Sequence, residues 1–400
     1  MWAAAIASAS ACFAPDLKDG VIPCGEAGCP SGMECAADGY CYRDPPDDGL
    51  PDGSPGGGAA DRVMALAVGN DGQPDRIYAG CPGGGMAEVW TSPLARATTA
   101  LAWGDADGDD LPELAIAGNG EPLEIFRFAG GELAAAWSFP SADNGSELAW
   151  GDQDGDGYQD LALGRSGGRL GIYEWTGAAV ELRWSSSWDD VVSAVAWADH
   201  DGDGDLEVAQ AERADDSVLF DVTSTASSLD VVWSSQSVET TESLAWADAD
   251  RDGDPDLAVG NDGQPNRLYR NDAGNLVPVW TAADATTTRA VAWADIDGDG
   301  DPDLAVGNDG MPSRVYRNDG GGGLALAWTA PSADSTRALA WADIDGDGDP
   351  DLAVGNHGDP VRLYRNDGSG SFELAWSAPV SDATTSVDWA RWPGVPAACP

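Results

Sequence analysis

Basic residues are scarce in this chain. Lys18 is the one lysine, and 20 lysines and arginines together stand against 69 aspartates and glutamates, for a formal net charge of -49. A surface that acidic repels a phosphate backbone along most of its extent, which excludes nucleic-acid binding. Long apolar runs are missing too: the longest, residues 1–14, is built from small residues and is too short and too weakly hydrophobic to span a bilayer, so no transmembrane segment is expected. Histidine is limited to His200 and His357. No Gly-x-Ser-x-Gly elbow, Walker loop or dinucleotide fingerprint occurs, so the usual residue sets of nucleophilic and nucleotide-dependent catalysis are lacking. Glycine (52), proline (25) and tryptophan (18) are plentiful, and 42% of residues are hydrophobic. Such a chain is rich in turns yet has enough apolar material to fold, unlike an acidic disordered tail.

Residues 1–11 read as the apolar core and small-residue cleavage region of a secretory leader. Ala9-Ser10-Ala11-Cys12 resembles the lipobox of bacterial lipoproteins, whose cysteine carries the lipid. The seven cysteines are an odd number, which leaves one unpaired with the others and suits a lipid anchor at Cys12. Cys24, Cys29, Cys35 and Cys41 lie in a segment, 12–43, with little apolar material of its own, and read as two disulfides of open connectivity. A zinc site there would lack both C-x-x-C pairs and histidine. Residues 44–60 are a Pro, Gly and Asp linker. The expected location is the cell surface or outer membrane as a lipoprotein, otherwise secreted.

The rest of the chain, 61–400, repeats. Trp103, Trp150, Trp197, Trp246, Trp293, Trp341 and Trp389 recur at intervals of 47 to 49 residues, and Trp90, Trp137, Trp184, Trp233, Trp280, Trp328 and Trp376 keep the same intervals. A fixed place in every repeat points to packing rather than sugar stacking. Within one unit, residues 289–293, 303–308, 313–317 and 324–328 are short β-prone runs separated by turn residues, giving four strands per repeat. Four strands at this period are the signature of a β-propeller. Residues 61–78 and 87–90 repeat the second, third and fourth strands, while 384–390 copies a first strand and stops. Six whole units and one assembled from both chain ends predict an all-β, seven-bladed β-propeller with four-stranded blades, closed by pairing of N- and C-terminal strands. Cys81 and Cys399 follow the third and first strands of the shared blade, at the same end of its sheet, and are expected to form a disulfide.

Between first and second strands the chain reads Asp295-Ile-Asp297-Gly-Asp299-Gly-Asp301-Pro-Asp303, with acids at positions 1, 3, 5, 7 and 9. Acids packed this closely raise one another's pKa and repel, and a hard dication taking six to eight oxygens converts that repulsion into coordination. Glycine at position 6 allows the sharp turn. Related loops start at Asp105, Asp152, Asp199, Asp248 and Asp343, which predicts up to six calcium ions. An EF-hand is excluded, because position 12 is Val306 within a strand-like run rather than a glutamate before a helix. Magnesium, which keeps its waters, suits such a cage less well.

Asp-Ile-Asp-Gly-Asp-Gly-Asp-Pro-Asp-Leu-Ala-Val-Gly-Asn followed by Arg-Val-Tyr-Arg-Asn-Asp-Gly resembles the FG-GAP and VCBS-type repeats of bacterial surface proteins, related to the integrin α-subunit propeller. The resemblance implies carboxylate ligands at positions 1, 3, 5 and 9 and a backbone carbonyl at position 7. Carried over, it assigns one calcium each to Asp295, Asp297, Asp299, Asp301 and Asp303; to Asp343, Asp345, Asp347, Asp349 and Asp351; and to Asp248, Asp250, Asp252, Asp254 and Asp256, with Arg251 facing outward. Asp199, Asp201, Asp203, Asp205 and Glu207 form a fourth set, with His200 at position 2 turned away from the ion. Asp152, Asp154, Asp156, Tyr158 and Asp160 form a fifth. Asp105, Asp107, Asp109, Leu111 and Glu113 form the last, where Asp110 replaces the position 6 glycine. The shared blade has Arg391-Trp392-Pro393 in place of ligands and no site. The family analogy puts any ligand on the opposite face, at 261–266, 308–313, 356–360 and 330–336. The expected function is that of an exported, monomeric, non-enzymatic protein with structural calcium, binding an extracellular protein or glycan. The alternatives are a purely structural module or a glycan-active enzyme such as a lyase.

Overall fold

The computed structural model describes residues 62–399 apart from 83–84, 110, 130–131, 140–142, 177–179, 187–189, 223–228, 322, 395 and 397–398. It also describes three short strands, Ile22–Pro23, Glu34–Cys35 and Tyr40–Tyr42, paired as one small sheet with the backbone of Cys35 opposite that of Cys41. The leader at 1–11, Cys12, the linker at 44–60 and the disulfide partners of Cys24, Cys29, Cys35 and Cys41 lie outside the described residues.

Among the described residues every regular element is a strand, and the strand pairs are antiparallel meanders. One unit runs Thr336–Ala342, Asp351–Asn356, Arg362–Asn366 and Phe372–Ser377. Trp341 lies opposite Leu352, and Leu352 opposite Tyr364, before a bulge at Leu363/Tyr364 shifts the register onto the fourth strand. All six residues of the second strand are buried, because neighbouring sheets cover both of its faces. Such a strand reads as an unbroken apolar run instead of an alternation. The fourth strand is mostly exposed and forms one edge of its sheet.

Sheet-to-sheet packing follows from residue size. One core cluster joins Ala290, Ala292, Ala294, Ala305 and Val315 of one unit to Leu339, Trp341, Leu352, Val354 and Tyr364 of the next. Small residues on one face receive large ones from the facing sheet, so the two faces interdigitate. Both tryptophan series take part. The first-strand indoles of Trp150, Trp197, Trp293, Trp341 and Trp389 donate to the carbonyls of Ala102, Ala149, Ala245, Ala292 and Ala340 in the preceding unit, at 3.1 to 3.4 Å. The fourth-strand Trp233, Trp280 and Trp328 meet Tyr269, Tyr316 and Tyr364 of the following unit edge-on, at 5.1 to 5.6 Å between ring centroids.

The chain ends share one sheet. Thr384–Pro393 pairs antiparallel with Arg62–Gln73, placing Trp389 opposite Leu66, and the sheet continues through Arg76–Gly80 and Met86–Thr91. A disulfide joins Cys81 to Cys399, whose Cα atoms are 5.5 Å apart. One difference from the sequence reading concerns residues 261–266: they belong to the continuous strand Asp256–Asn271 rather than a loop, because Asp262 and Gln264 pair with Thr287 and Thr286 of the connecting segment.

Candidate metal centres

Each acidic loop is closed by its own backbone. At position 1, one carboxylate oxygen accepts the amide of the position 6 glycine: Gly157 on Asp152 at 3.1 Å, Gly204 on Asp199 at 3.2 Å, Gly253 on Asp248 at 3.0 Å, Gly300 on Asp295 at 2.8 Å and Gly348 on Asp343 at 3.0 Å. At position 5, Asp109, Asp156, Asp203, Asp252, Asp299 and Asp347 each accept the amide of position 7 at 2.9 to 3.0 Å. Left-handed backbone is needed at position 4 as well as position 6. Gly108, Gly155, Gly202, Gly298 and Gly346 meet that need, and Arg251 adopts φ 59° in their place.

These turns draw the acids inward. Ligand oxygens of Asp152, Asp154 and Asp156 lie within 4.8 Å of one another, as do those of Asp199, Asp201 and Asp203, of Asp248, Asp250 and Asp252, and of Asp105, Asp107 and Glu113. Asp295, Asp297 and Asp299, and Asp343, Asp345 and Asp347, sit in loops held by the same bonds. Buried Oδ1 atoms of Asp107, Asp152, Asp199, Asp250 and Asp297 have no hydrogen-bond partner. A buried, unpartnered carboxylate oxygen is costly, and a cation is the partner its charge calls for. Burial, then repulsion from neighbouring acids, raises the carboxyl pKa of Asp107, Asp297 and Asp345. The donors are all oxygens in most loops, which suits a hard ion such as calcium.

Positions 7 and 9 have further duties. The Asp301 carboxylate meets Arg251 of the preceding loop at 2.5 Å, and that of Asp254 accepts the Ala273 amide at 3.0 Å. Arg251 therefore does not simply face outward; it ties two successive loops. At position 9 one oxygen accepts the position 2 amide, as in Ile296 to Asp303 at 2.9 Å, and the other accepts an amide fifteen residues on, as in Asn318 to Asp303 at 2.8 Å. Burial pushes Asp160, Asp256, Asp303 and Asp351 up to about 7, and Glu113 to about 8. Leu111 and Tyr158 keep the position 7 place through their amides, while Asp110 lies outside the described residues. In the shared sheet, Arg391, Trp392 and Pro393 continue the strand opposite Met64, Val63 and Arg62, so no acidic loop forms there.

Three features escaped sequence reasoning. The side-chain amides of Asn271, Asn318 and Asn366 donate to the carbonyls of His200, Ala249 and Ile296, each at position 2 of the preceding loop, at 2.6 to 2.7 Å. The Tyr-Arg-Asn repeat was the available signal for this tie. Replacing fully buried Asn318 by Ala should cost about 1 to 3 kcal/mol, read from urea midpoints, because it strands the Ala249 carbonyl; an unchanged midpoint would contradict the tie. Second, His200 is not turned away: its Nδ1 lies 2.7 Å from Glu207, the position 9 acid, which also accepts the His200 amide at 2.9 Å.

Third, first strands of several sheets border a small polar cavity lined by Glu147, Glu242, Ser243, Arg289, Arg337 and Ser386. Arg289 pairs with Glu242 at 2.9 Å and Asp262 at 3.1 Å, and Arg337 with Asp309 at 3.0 Å. Burial pushes Glu147 up to about 8, with Asp388 adding repulsion. A carboxyl raised in the folded state contributes stability that is full below its unfolded pKa and is lost as pH rises through the folded value. Glu147→Gln cannot ionise, so its melting temperature should pull progressively above wild type between pH 5 and 8; parallel curves over that range would contradict the assignment.

The FG-GAP-like repeat profile matches residues 105–163, 248–306, 295–354 and 343–393, and each match begins at position 1 of an acidic loop. No curated protein matches the sequence. Among solved structures, the chain is similar to a candidate 6-phosphogluconolactonase of Bacteroides uniformis, with TM-score 0.62, 14% identity, 82% of this chain and 100% of that chain covered. It is also similar to BBS1N in complex with ARL6DN, with TM-score 0.56, 14% identity, 75% and 88% covered. Sqt1 of Saccharomyces cerevisiae follows, with TM-score 0.58, 12% identity, 81% and 84% covered. At such identities these likenesses show a propeller-like all-β fold and nothing of activity. With just over half of its length matched, the chain belongs to the FG-GAP-like repeat family.

Proposed function

We propose that the chain is an exported, calcium-binding, seven-bladed propeller, closed at the shared sheet, that binds an extracellular protein or glycan. Calcium is structural in this reading. It neutralises the acids between first and second strands and fixes loops that are already tied from sheet to sheet. The observation that carries it is the convergence of position 1, 3 and 5 carboxylates around buried, unpartnered oxygens. The ions would be held by positions 1, 3 and 5 with the position 7 carbonyl and position 9 completing the set. Ligand contact falls to the opposite face, where the tips at Met311 and His357 are exposed.

The test is a glycan and extracellular-protein array probed with the full chain in millimolar calcium. Discrete hits that disappear in the Met311→Ala/His357→Ala double variant, with its melting temperature unchanged, are expected. Uniform silence from folded, calcium-loaded protein would overturn the ligand-binding role in favour of a scaffold. Among the described residues no helix is long and apolar enough to cross a membrane.

A further inference from the structure

The fourth loop differs from the other five in a way that changes its donor chemistry. Position 2 is Ala106, Gln153, Ala249, Ile296 or Ile344 elsewhere, and His200 here, 5% exposed. Its partner at position 9 is Glu207, one methylene longer than the aspartates Asp160, Asp256, Asp303 and Asp351 of four other loops. That reach brings Oε2 to 2.7 Å from the imidazole Nδ1 while it also accepts the His200 amide at 2.9 Å. With Glu207 ionised and the ring neutral, Nδ1 carries the proton of this bond and Nε2 is the nitrogen left to bind a ligand. Nε2 and Asp201 both border Gly274, in the turn between third and fourth strands of the next unit; a Cβ there would stand 3.4 Å from the Asp201 Cβ and 4.0 Å from Nε2. One ring nitrogen of His200 and one carboxylate oxygen each of Asp201 and Glu207 lie within 4.8 Å of one another. The loop at Asp199 also lies outside the spans matched by the FG-GAP-like profile.

We propose that His200 Nε2 and Asp201 form a site for a transition dication of the zinc class, with Glu207 holding the imidazole through Nδ1. Calcium takes oxygen donors, whereas imidazole nitrogen suits zinc and its neighbours. A ligating histidine that donates its other ring N–H to a carboxylate is the usual supporting arrangement, and loss of that carboxylate commonly costs ten- to a hundredfold in metal affinity. The site does not depend on calcium filling the other loops; in its own loop it competes with calcium, because Asp201 and Glu207 belong to the fourth calcium set as well.

The experiment uses the full chain, stripped with chelator and returned to 5 mM calcium so that oxygen-only loops are occupied. Zinc is then titrated in while long-range 1H–15N spectra follow the two histidines. One equivalent should shift Nε2 of His200 and leave exposed His357 unmoved. Cobalt should bind with the same stoichiometry and a nitrogen-ligand absorption band that zinc bleaches. Glu207→Gln should weaken binding ten- to a hundredfold, and both His200→Gln and His200→Ala should abolish the band. An unmoved His200 resonance in wild-type protein, or cobalt affinity unchanged in a folded His200 variant, would overturn the proposal. A parallel melt with and without calcium reads the calcium assignment separately, since it leaves the His200 resonance unexamined.

Discussion

Removing calcium should lower the stability of this chain by about 8 kcal/mol at a free concentration tenfold above the dissociation constant, if all six loops fill. One site at that saturation contributes about 1.4 kcal/mol by mass action, and extracellular modules bind in the ~0.1 to 1 mM range. For a repeat domain of this size the loss corresponds to a melting temperature lower by about 10 °C. The cause is local: unpartnered oxygens such as Asp152 Oδ1, Asp199 Oδ1 and Asp297 Oδ1 are buried beside other carboxylates, and without an ion that charge is uncompensated. Asp297→Ala should remove roughly one sixth of the calcium-dependent increment by the same arithmetic and leave the metal-free protein no less stable, because Asp297 is among the acids whose ionisation is disfavoured there. A calcium increment unchanged by Asp297→Ala would contradict the assignment of that loop.

Opening the Cys81–Cys399 disulfide carries the second large effect. The two cysteines are 318 residues apart in sequence. The chain-entropy treatment gives about 5 to 6 kcal/mol for a loop of this length, and measured native disulfides fall at about 2 to 5 kcal/mol. The Cys81→Ser/Cys399→Ser variant should therefore lose stability by an amount in that range, seen as a lower urea midpoint. The shared sheet persists in it, since Thr384–Pro393 still pairs with Arg62–Gln73 and Trp389 still packs beside Leu66, Val68 and Tyr78. Loss of the native far-UV signal in the variant would contradict this division of labour, as would an unchanged midpoint.

Repeated features were legible in the sequence because they recur. The two tryptophan series mark the sheets, the alternating acids mark the loops, and the split unit at the chain ends anticipates the pairing of Trp389 with Leu66 and the Cys81–Cys399 bond. Contacts made by one side chain to a distant backbone were not legible. Asn366 donates to the Ile296 carbonyl 70 residues earlier, and no local pattern distinguishes that bond from solvation of a turn residue. Position 4 within a single loop points Arg251 outward, but its length carries it to Asp301 in the next. Position 2 alone turns His200 away from the ion, but the longer Glu207 brings the acid to the ring instead. The continuous strand Asp256–Asn271 hid behind turn residues, since Asn-Asp-Gly and proline suggest a loop while pairing with Thr286 and Thr287 holds the segment extended.

Counting bound ions tests the central claim most directly. Chelator-stripped protein dialysed against millimolar calcium, then crystallised and measured near an absorption edge suited to calcium or a lanthanide substitute, should show peaks between positions 1, 3 and 5 of the loops beginning at Asp152, Asp199, Asp248, Asp295 and Asp343. A weaker peak is expected at Asp105 and none beside Arg391. Loops without peaks in saturating metal, or ions scattered over the acidic surface instead, would contradict the account.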